Sequence, residues 1–395
     1  MSKKILAINS GSSSIKFKLY LMPEEKVLIS GAVDNLGASD SQFSYKTDKA
    51  SETRQLPIKD HSEGIQQIIE ILETSGVVKD RSEIYGVGHR ISHGGNYYTH
   101  AVEVTPEVEK RIDELKVLSP LHNPNGLIGI KAFEKFLPDA KETVTFDNSF
   151  HHTIPKKAYM YALPYEFYEK YHIRRYGFHA PSHQYVSEKA RELFGPEQTK
   201  RMITCHLGNG ASISAILDGK SVNSSMGFTP LAGVVMGTRC GDIDPEIIPF
   251  LEEELHIDSH EMRRIMNEDS GLKGLSGVSN DEREVEKAAK NGNERAQLAL
   301  DVFVHSIQQY IGAYTTDLEG LDTLVFTAGI GEHSAFIRSE ICKRLGYLGV
   351  KIDEAKNKEN ALSIEAPDSK VKVAVIPTNE EIIIARDVMK VTQAQ

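Results

Sequence analysis

The stretch AINSGSSSIKFKLY, residues 7–20, carries the pattern that decides the fold, because glycine and serines separate two apolar runs. Alternation along a β-strand places Ile15 and Phe17 on one face and Ser14 and Lys16 on the other. The first face is apolar and suits a core, whereas the second presents a hydroxyl and an ammonium group. The stretch therefore predicts two strands joined by a polar turn.

Two interpretations of this turn remain open. One is a hairpin that uses serine-rich turn chemistry. The other is a phosphate site, in which backbone N–H groups, the hydroxyls of Ser12 and Ser14 and the Lys16 ammonium group bind polyphosphate oxygens.

The same arrangement recurs about 197 residues later. RMITCHLGNGASISAILDGKSV, residues 201–222, predicts strand, glycine turn and strand, and Gly208 and Gly210 would let a ligand approach the backbone. A third glycine turn, GIGEH at 329–333, follows the apolar strand 323–329 and precedes a helix from about Ser334. The recurrence predicts two related halves and an α/β fold with mixed sheets.

Periodicity elsewhere predicts the other elements. The strands are expected at 4–9, 15–21, 27–33, 42–47, from 84 into a glycine-rich loop, 142–146 and 371–378. The helices are expected at 63–74, 106–115, 125–136, around 300–314 and 380–391.

Composition limits the class of protein. The chain has 395 residues and a net charge of −10, which argues against nucleic acid as the main partner. No apolar run is long enough for a membrane span, and residues 9–14 interrupt the first one, so no signal peptide is expected. Three scattered cysteines, Cys205, Cys240 and Cys342, suit free thiols and a cytoplasmic location.

The fifteen histidines do not follow a metal-binding motif. His179 and His183 are four residues apart, but Pro181 lies between them, and no His-Glu-x-x-His or paired-cysteine motif occurs. No zinc site is expected.

The segment GFTPLAGVVMGTRCGDIDP, residues 227–245, combines four glycines with Arg239 and Asp242 and lacks clear periodicity. An ordinary surface loop would expose many of its apolar residues, which is unfavourable. The segment is therefore expected to be part of a site. No Walker phosphate loop or protein-kinase motif occurs in the chain.

The sequence resembles the acetate kinase family across almost its whole length. The two long signatures are ILAINSGSSSIKF at 5–17 and the 227–245 segment. Shorter matches follow in the family order: GHRISHGG at 88–95, PLHNP at 120–124, TFDNSFH at 145–151, RRYGFHAPSH at 174–183, HLGNGAS at 206–212, NDER at 280–283, TAGIGEH at 327–333 and PTNEE at 377–381.

The resemblance implies the actin-like ATPase fold: two ribonuclease-H-like lobes with mixed sheets and a nucleotide cleft between them. Residues 1–147 with 382–395 would form the N-terminal lobe, completed by the C-terminal helix, on the phosphate and acyl side. Residues 148–381 would form the C-terminal lobe, which binds nucleotide and forms a homodimer.

The implied reaction is the reversible, Mg²⁺-dependent transfer of a phosphoryl group from ATP to acetate, with Mn²⁺ as an alternative metal. Neither a nucleic-acid nor a membrane partner is expected. The implied site residues fall into four groups: Asp147, Arg90, Arg239 and His179 for catalysis; Arg90, Leu121, Phe178 and Pro230 for acetate; Asn9 and Glu380 near the metal; and Ser12, Ser14, Lys16, His206, Leu207, Gly208, Asn209, Gly210, Asp281, Glu282, Arg283, Gly329, Ile330, Gly331, Glu332 and His333 for the nucleotide.

Two alternatives bear on this interpretation. Ser92 stands in GHRISHGG where the family usually has valine, which keeps a propionate kinase with broader acyl specificity as an alternative. A non-catalytic nucleotide-binding module of the actin type would have no reason to combine Arg90, Arg239 and His179.

Overall fold

The computed structural model describes residues 2–11, 13–120 and 122–393. Their strands are β1 (Lys3–Ser10), β2 (Ser14–Met22), β3 (Lys26–Asp34), β4 (Gln42–Thr47), β5 (Ser51–Gln55), β6 (Ile84–Ile91), β7 (Val102–Glu103), β8 (Lys141–Phe146), β9 (Arg201–Leu207), β10 (Ala211–Leu217), β11 (Lys220–Ser224), β12 (Thr323–Thr327) and β13 (Lys372–Val375).

The helices of the described residues are α1 (His61–Thr74), α2 (Pro106–Glu114), α3 (Asn123–Phe136), α4 (Lys156–Tyr159), α5 (Tyr165–Tyr171), α6 (Ala180–Phe194), α7 (Ile247–Leu255), α8 (Ser259–Glu268), α9 (Gly271–Ser276), α10 (Glu282–Lys290), α11 (Glu294–Leu318), α12 (Ala328–His333), α13 (Ala335–Cys342), α14 (Glu354–Lys358) and α15 (Glu380–Gln393). Among the helices that the structure describes, none has the length and apolar character needed to cross a membrane.

The chain divides into two compact units, Met1–Phe150 with Asn379–Gln395, and His151–Thr378. The two boundaries between the units each lie three residues from the expected positions. The first falls after residue 150 rather than 147, and the second after residue 378 rather than 381. The second difference has a clear cause. Asn379 accepts a 2.9 Å hydrogen bond from Tyr20 of the first unit, and α15 begins at Glu380.

The first unit contains an eight-stranded sheet in the order β5-β4-β3-β2-β1-β6-β8-β7. β1, β2 and β3 are antiparallel neighbours, whereas β6 runs parallel to β1 and β8 runs parallel to β6. The buried side chains of β2 include Ile15, Phe17 and Leu19, as its alternation predicts. Parallel strands bring their carboxyl ends to one edge of a sheet, where ligands bind in many α/β proteins.

The second unit contains a five-stranded sheet in the order β11-β10-β9-β12-β13. Its first three strands are antiparallel, and β12 and β13 run parallel to β9 and to each other. The order and directions repeat those of β3-β2-β1-β6-β8. The predicted pair of related halves, each with a mixed sheet, is therefore confirmed.

The C-terminal helix α15 packs on the sheet of the first unit, against β1, β6 and β8. Gly88 of β6 makes this approach possible, since a Cβ atom there would lie 2.5 Å from Cγ2 of Ile384. The buried residues Ile383 and Ile384 anchor the helix on the sheet. This packing fixes Glu380, the first residue of α15, near the carboxyl ends of these strands.

One local prediction is wrong. GIGEH at 329–333 is not a glycine turn after the strand; it lies in helix α12, and β12 ends at Thr327. Ala328 begins the helix with a φ of 63°, a left-handed value that is uncommon for a residue other than glycine. The side chain of Glu332 accepts a 2.9 Å hydrogen bond from the Ala328 N–H group, which stabilises this local conformation.

Candidate active site

β1 and β2 form an antiparallel hairpin. Ser10 pairs with Ile15 in the antiparallel register, and the Gly11 N–H group donates a 2.8 Å hydrogen bond to the carbonyl oxygen of Ser14. The hairpin interpretation is confirmed as a description of the backbone. Ser12 lies outside the described residues, and phosphate binding at this turn remains a prediction.

Three predicted residues lie side by side across neighbouring strands. Asn9 of β1 pairs with Lys16 of β2 and with Arg90 of β6. Side chains of directly paired residues project from the same face of a sheet. The structure thus places an amide, an ammonium and a guanidinium group on one face, and the Lys16 side chain is exposed.

Arg90 and Asp147 form a two-point ion pair at this edge of the first unit. Nε and Nη2 of Arg90 donate to the two carboxylate oxygens of Asp147 at 3.1 and 2.7 Å. Nη1 donates to Oδ1 of Asn9 at 3.2 Å and lies 3.9 Å from Oε2 of Glu380. Only 6% of the Asp147 side chain is exposed, against 22% for Arg90, so the guanidinium remains the more accessible partner.

Neighbouring charges shift the pKa of Arg90. Burial by itself lowers the pKa of the guanidinium, but the carboxylates of Asp147 and Glu380 outweigh burial, and the net pKa is raised. For Glu380, burial raises the pKa, and the nearby charge of Arg90 only partly opposes this shift. Arg90 is therefore a permanent cation held in place by two acidic side chains.

In the second unit, His179 and Arg239 meet at Gly210. A Cβ atom on Gly210 would lie 3.5 Å from Nε2 of His179 and 3.4 Å from Nη1 of Arg239. Arg239 also donates to the carbonyl oxygen of Pro230 at 3.3 Å, and burial lowers its pKa. Arg239 forms no ion pair with any residue that the structure describes, so its charge is available to an anionic ligand.

The backbone around Arg239 explains why the 227–245 segment is not a surface loop. Val234 and Met236 are fully buried, and Asp242 binds the Gly233 N–H group at 2.8 Å. The N–H group of Leu272 donates to the Met236 carbonyl group at 2.9 Å. The segment is therefore not an ordinary surface loop, and its part in a site remains a prediction.

A buried polar layer lies beneath His179. Ser212 Oγ is 2.8 Å from Nδ1 of His179 and 2.7 Å from Nε2 of His183. The ring of His206 stacks on that of His179, with centroids 4.1 Å apart. Pro181 lies in the first turn of α6, where proline fits. Contrary to the expectation from sequence, it does not keep the side chains of His179 and His183 apart, since both contact Ser212.

Three predicted nucleotide segments come together at one pocket of about 500 Å³ in the second unit. The predicted residues that line it are Gly208, Asn209, Asp281, Glu282, Arg283, Gly329, Ile330 and His333. These segments are far apart in sequence. Their convergence makes this pocket the candidate nucleotide site of the second unit.

Other predicted residues do not reach this pocket. His206 and Leu207 belong to β9, and Leu207 is fully buried. Gly331 accepts a 2.9 Å hydrogen bond from the buried Arg338 side chain. Glu332 binds the N–H groups of Ala328 and Thr378 rather than lining the cavity.

The predicted acetate pocket is only partly described. Phe178 belongs to the hydrophobic core of the second unit, with 1% of its surface exposed. Pro230 is half-buried and binds Arg239 through its carbonyl group. Leu121 lies outside the described residues.

Sequence reasoning missed three residues that line the nucleotide pocket, Asn280, Glu286 and Ser334. Asn280 begins the NDER motif, and Ser334 follows GIGEH directly, so proximity in sequence was an available signal for both. Glu286 lies one helical turn after Glu282 on α10. The helical spacing could have indicated that both carboxylates lie on one face.

Glu282 is the pocket residue with the most perturbed chemistry. It is 3% exposed and accepts a 3.2 Å hydrogen bond from Ser334. Burial, with a contribution from the charge of Glu286, raises its pKa to about 7. The carboxyl group therefore changes its charge near neutral pH.

Comparison with known proteins connects these features to one family. The acetokinase family profile matches residues 4–386. The acetate kinase of Halothermothrix orenii is 49% identical over 397 residues, which cover 99% of this chain and 100% of that protein.

Two solved structures are also similar over nearly the whole chain. The acetate kinase of Porphyromonas gingivalis matches with a TM-score of 0.92 and 42% identity, covering 99% of this chain and 100% of that one. A propionate kinase from Francisella tularensis matches with a TM-score of 0.93 and 37% identity, covering 98% of each chain. The family profile, the full-length relatives and the two mixed sheets agree, and the chain belongs to the acetokinase family of phosphotransferases that act on a carboxyl acceptor.

Proposed function

We propose that this chain catalyses the reversible transfer of the γ-phosphoryl group of ATP to acetate, which yields acetyl phosphate and ADP. The observation that carries the proposal is the pair of donors around Gly210. A Cβ atom on Gly210 would lie 3.5 Å from Nε2 of His179 and 3.4 Å from Nη1 of Arg239, so both groups border the same space. Phosphoryl transfer spreads charge over the equatorial oxygens, and donors fixed in advance stabilise that charge.

We assign the acetate carboxylate to Arg90. A guanidinium has five N–H donors; three of those of Arg90 bind Asp147 and Asn9, and the remaining two can donate to a further carboxylate. The permanent charge of Arg90 and its greater exposure relative to Asp147 support the assignment. Leu121, Phe178 and Pro230 are proposed to surround the acetate methyl group.

Asp147 has no proton to remove in this reaction. A simple carboxylic acid titrates near 4.3, so acetate is about fully ionised at pH 7. Its carboxylate can attack phosphorus directly. We therefore propose that Asp147 orients Arg90, which agrees with its two hydrogen bonds to the guanidinium.

Asn9 and Glu380 are proposed to hold Mg²⁺. Both supply hard oxygen donors, and both lie near Nη1 of Arg90, at 3.2 and 3.9 Å. No group of three His, Cys, Asp or Glu side chains suitable for a metal occurs among the described residues. This donor set fits Mg²⁺, which uses one or two carboxylates together with water and substrate phosphates. When bound, the ion neutralises phosphate charge; Mn²⁺ has the same oxygen preference.

The nucleotide is proposed to bind in the pocket lined by Gly208, Asn209, Asp281–Arg283, Gly329, Ile330 and His333. The pocket volume of about 500 Å³ suits a ligand of that size. Lys16 and Ser14 are proposed to bind phosphate oxygens. We further propose a cytoplasmic homodimer whose contacts come from the second unit.

Trapping with hydroxylamine tests the proposed function. The enzyme is incubated with ATP, Mg²⁺ and either acetate or propionate, and the acyl phosphate is captured as the hydroxamate. We expect acetate to give the higher kcat/KM, by roughly 10- to 200-fold, because one methylene is worth about that much in a pocket. A preference for propionate would support the alternative, and no hydroxamate from either acid would refute the proposal.

Ser92 connects this test to the structure. It is half-buried and follows β6 two residues after Arg90. Ser92→Val is expected to increase discrimination against propionate if Ser92 borders the methyl group. An unchanged ratio of kcat/KM for the two acids would remove Ser92 from the acyl pocket.

A further inference from the structure

A chain of buried hydrogen bonds leads from β9 to His179. Oγ1 of Thr204 lies 2.7 Å from Nδ1 of His183, Nε2 of His183 lies 2.7 Å from Oγ of Ser212, and that oxygen lies 2.8 Å from Nδ1 of His179. Thr204, His183 and Ser212 are all fully buried. The three contacts therefore form a linear path with no solvent access to its inner members.

His183 is a neutral imidazole in this path. Burial holds its pKa well below the usual value, and the neighbouring His151 and His206 act in the same direction. A neutral imidazole carries one N–H donor and one acceptor nitrogen. One hydroxyl group contacts each nitrogen of His183. The nitrogen that carries the proton donates to its hydroxyl group and the other nitrogen accepts, so the proton position sets the direction of all three hydrogen bonds.

Two directions use the Ser212 hydroxyl as both a donor and an acceptor. In the first, Thr204 donates to His183, His183 donates to Ser212, and Ser212 donates to Nδ1 of His179. In the second, every bond is reversed, and Nδ1 of His179 becomes the donor. The second direction leaves the Thr204 hydroxyl proton without an acceptor, because His183 is the only hydrogen-bond partner of Thr204 Oγ1 among the described residues.

A buried donor with no acceptor is costly and shifts such an equilibrium by about 5- to 150-fold. We infer that Thr204, His183 and Ser212 are positioning residues that hold the His179 proton on Nε2. The inference rests on the function proposed above, in which His179 donates to the transferring phosphoryl group. Nε2 is the nitrogen that lies 3.5 Å from the space above Gly210, beside Arg239.

The nearby charge of Arg239 supports the same state. A second proton on His179 would place a cation beside the Arg239 guanidinium, and two like charges disfavour each other. With a single proton available, the nitrogen that carries it decides whether His179 offers a donor or a lone pair to an anionic ligand. The hydrogen bonds from Thr204 through Ser212 favour the state in which Nε2 of His179 is the donor.

Thr204→Val tests the direction of the chain with little change in side-chain shape. Thr204→Ser is its matched control, because it keeps the hydroxyl group. Histidine-selective ¹⁵N labelling and two-bond ¹H–¹⁵N spectra report the tautomer of His179, which is assigned by the loss of its signal in His179→Gln. We expect the Nε2–H tautomer in wild type and Thr204→Ser, and a mixture in Thr204→Val.

Kinetics supply the second measurement. Thr204→Val should lower kcat about twofold or more, in proportion to the Nε2–H fraction, with little change in KM for ATP or acetate. Ser212→Ala removes the hydroxyl group that links His183 to His179, so it should also give a mixture of tautomers. It serves as the test if Thr204→Val does not fold.

The outcomes separate the inference from the proposed function. A wild-type His179 that carries its proton on Nδ1, or the same tautomer in Thr204→Val and Ser212→Ala as in wild type, would overturn the inference. Full activity of His179→Gln would instead refute the proposed role of His179, whatever tautomer the spectra show.

Discussion

Asp147 shows how one residue can be assigned by its contacts. Both of its carboxylate oxygens accept hydrogen bonds from Arg90, and only 6% of its side chain is exposed. A general base must reach the proton that it removes. Asp147 instead accepts two hydrogen bonds from the Arg90 guanidinium, which supports the proposed orienting role.

The Asp147→Asn variant tests this role. It removes the charge and keeps the shape, and hydrogen bonds to a charged group are worth about 1.5–3 kcal/mol. We expect kcat/KM for acetate to fall about 10- to 150-fold, with a higher KM for acetate, because Arg90 is no longer fixed. Steady-state kinetics between pH 6 and 9 measure this change.

Asp113→Asn is the matched control, since Asp113 forms an exposed ion pair with Lys116 at 3.0 Å. It should leave the kinetics unchanged. If Asp147→Asn loses only kcat, keeps its affinity for acetate and Mg²⁺, and lacks the acid limb of the wild-type pH profile, then Asp147 is a base.

Glu282 predicts a pH dependence of stability. Its pKa is raised to about 7 by burial, so the folded chain binds this proton more tightly than the unfolded chain does. The contribution of Glu282 to the free energy of unfolding is therefore full at low pH and is lost as the pH rises from about 4.5 to 7. Urea unfolding at pH 5 and pH 8 should show Glu282→Gln gaining about 2–3 kcal/mol relative to wild type at the higher pH.

Glu284→Gln provides the control for this measurement. Glu284 is exposed on the same helix, α10. Its substitution should change the free energy of unfolding little, and equally at both pH values. Equal behaviour of Glu282→Gln and Glu284→Gln would show that Glu282 ionises as a solvated carboxyl group does.

At the scale of elements, alternation predicted the inner strands well. β2 and β4 follow their predicted spans closely because apolar residues recur at every second position. The edge strand β5, SETRQ, has mostly exposed side chains and offers no such signal. The two glycines of GIGEH predict a turn, because glycine disfavours helices. Contacts such as the hydrogen bond from the Ala328 N–H group to the Glu332 side chain nevertheless stabilise helix α12 there.

The hairpin between β9 and β10 carries a prediction of its own. Gly210→Ala would place a methyl group 3.5 Å from His179 Nε2 and 3.4 Å from Arg239 Nη1. These are ordinary contacts, so the fold should persist. The methyl group would occupy the space assigned to the phosphoryl group, and misplacement of about 1 Å can reduce turnover about 100-fold.

Gly346→Ala is the control for this hairpin variant. A Cβ atom on Gly346 would meet no neighbouring atom within 4 Å. We expect a strongly reduced kcat for Gly210→Ala, normal kinetics for Gly346→Ala, and similar thermal midpoints for both. Normal turnover by Gly210→Ala would place the transferring group elsewhere.

At the scale of the whole molecule, the repeat of strand, glycine turn and strand was sufficient to predict two related units. The shared strand order of their sheets agrees with that repeat. The site was less accessible from sequence. The resemblance named Arg90 and Asp147, but their pairing across 57 positions, and the path from Thr204 through His183, depend on tertiary packing that no local pattern encodes.

The central claim is that the acetate carboxylate attacks phosphorus. Acetate labelled with ¹⁸O in both oxygens tests it directly, because ³¹P NMR detects ¹⁸O bonded to phosphorus. With ATP and Mg²⁺, we predict acetyl phosphate whose phosphorus carries one ¹⁸O atom derived from acetate. Acetyl phosphate without ¹⁸O on phosphorus would mean that a phosphate oxygen attacked the carboxyl carbon, and it would contradict the account.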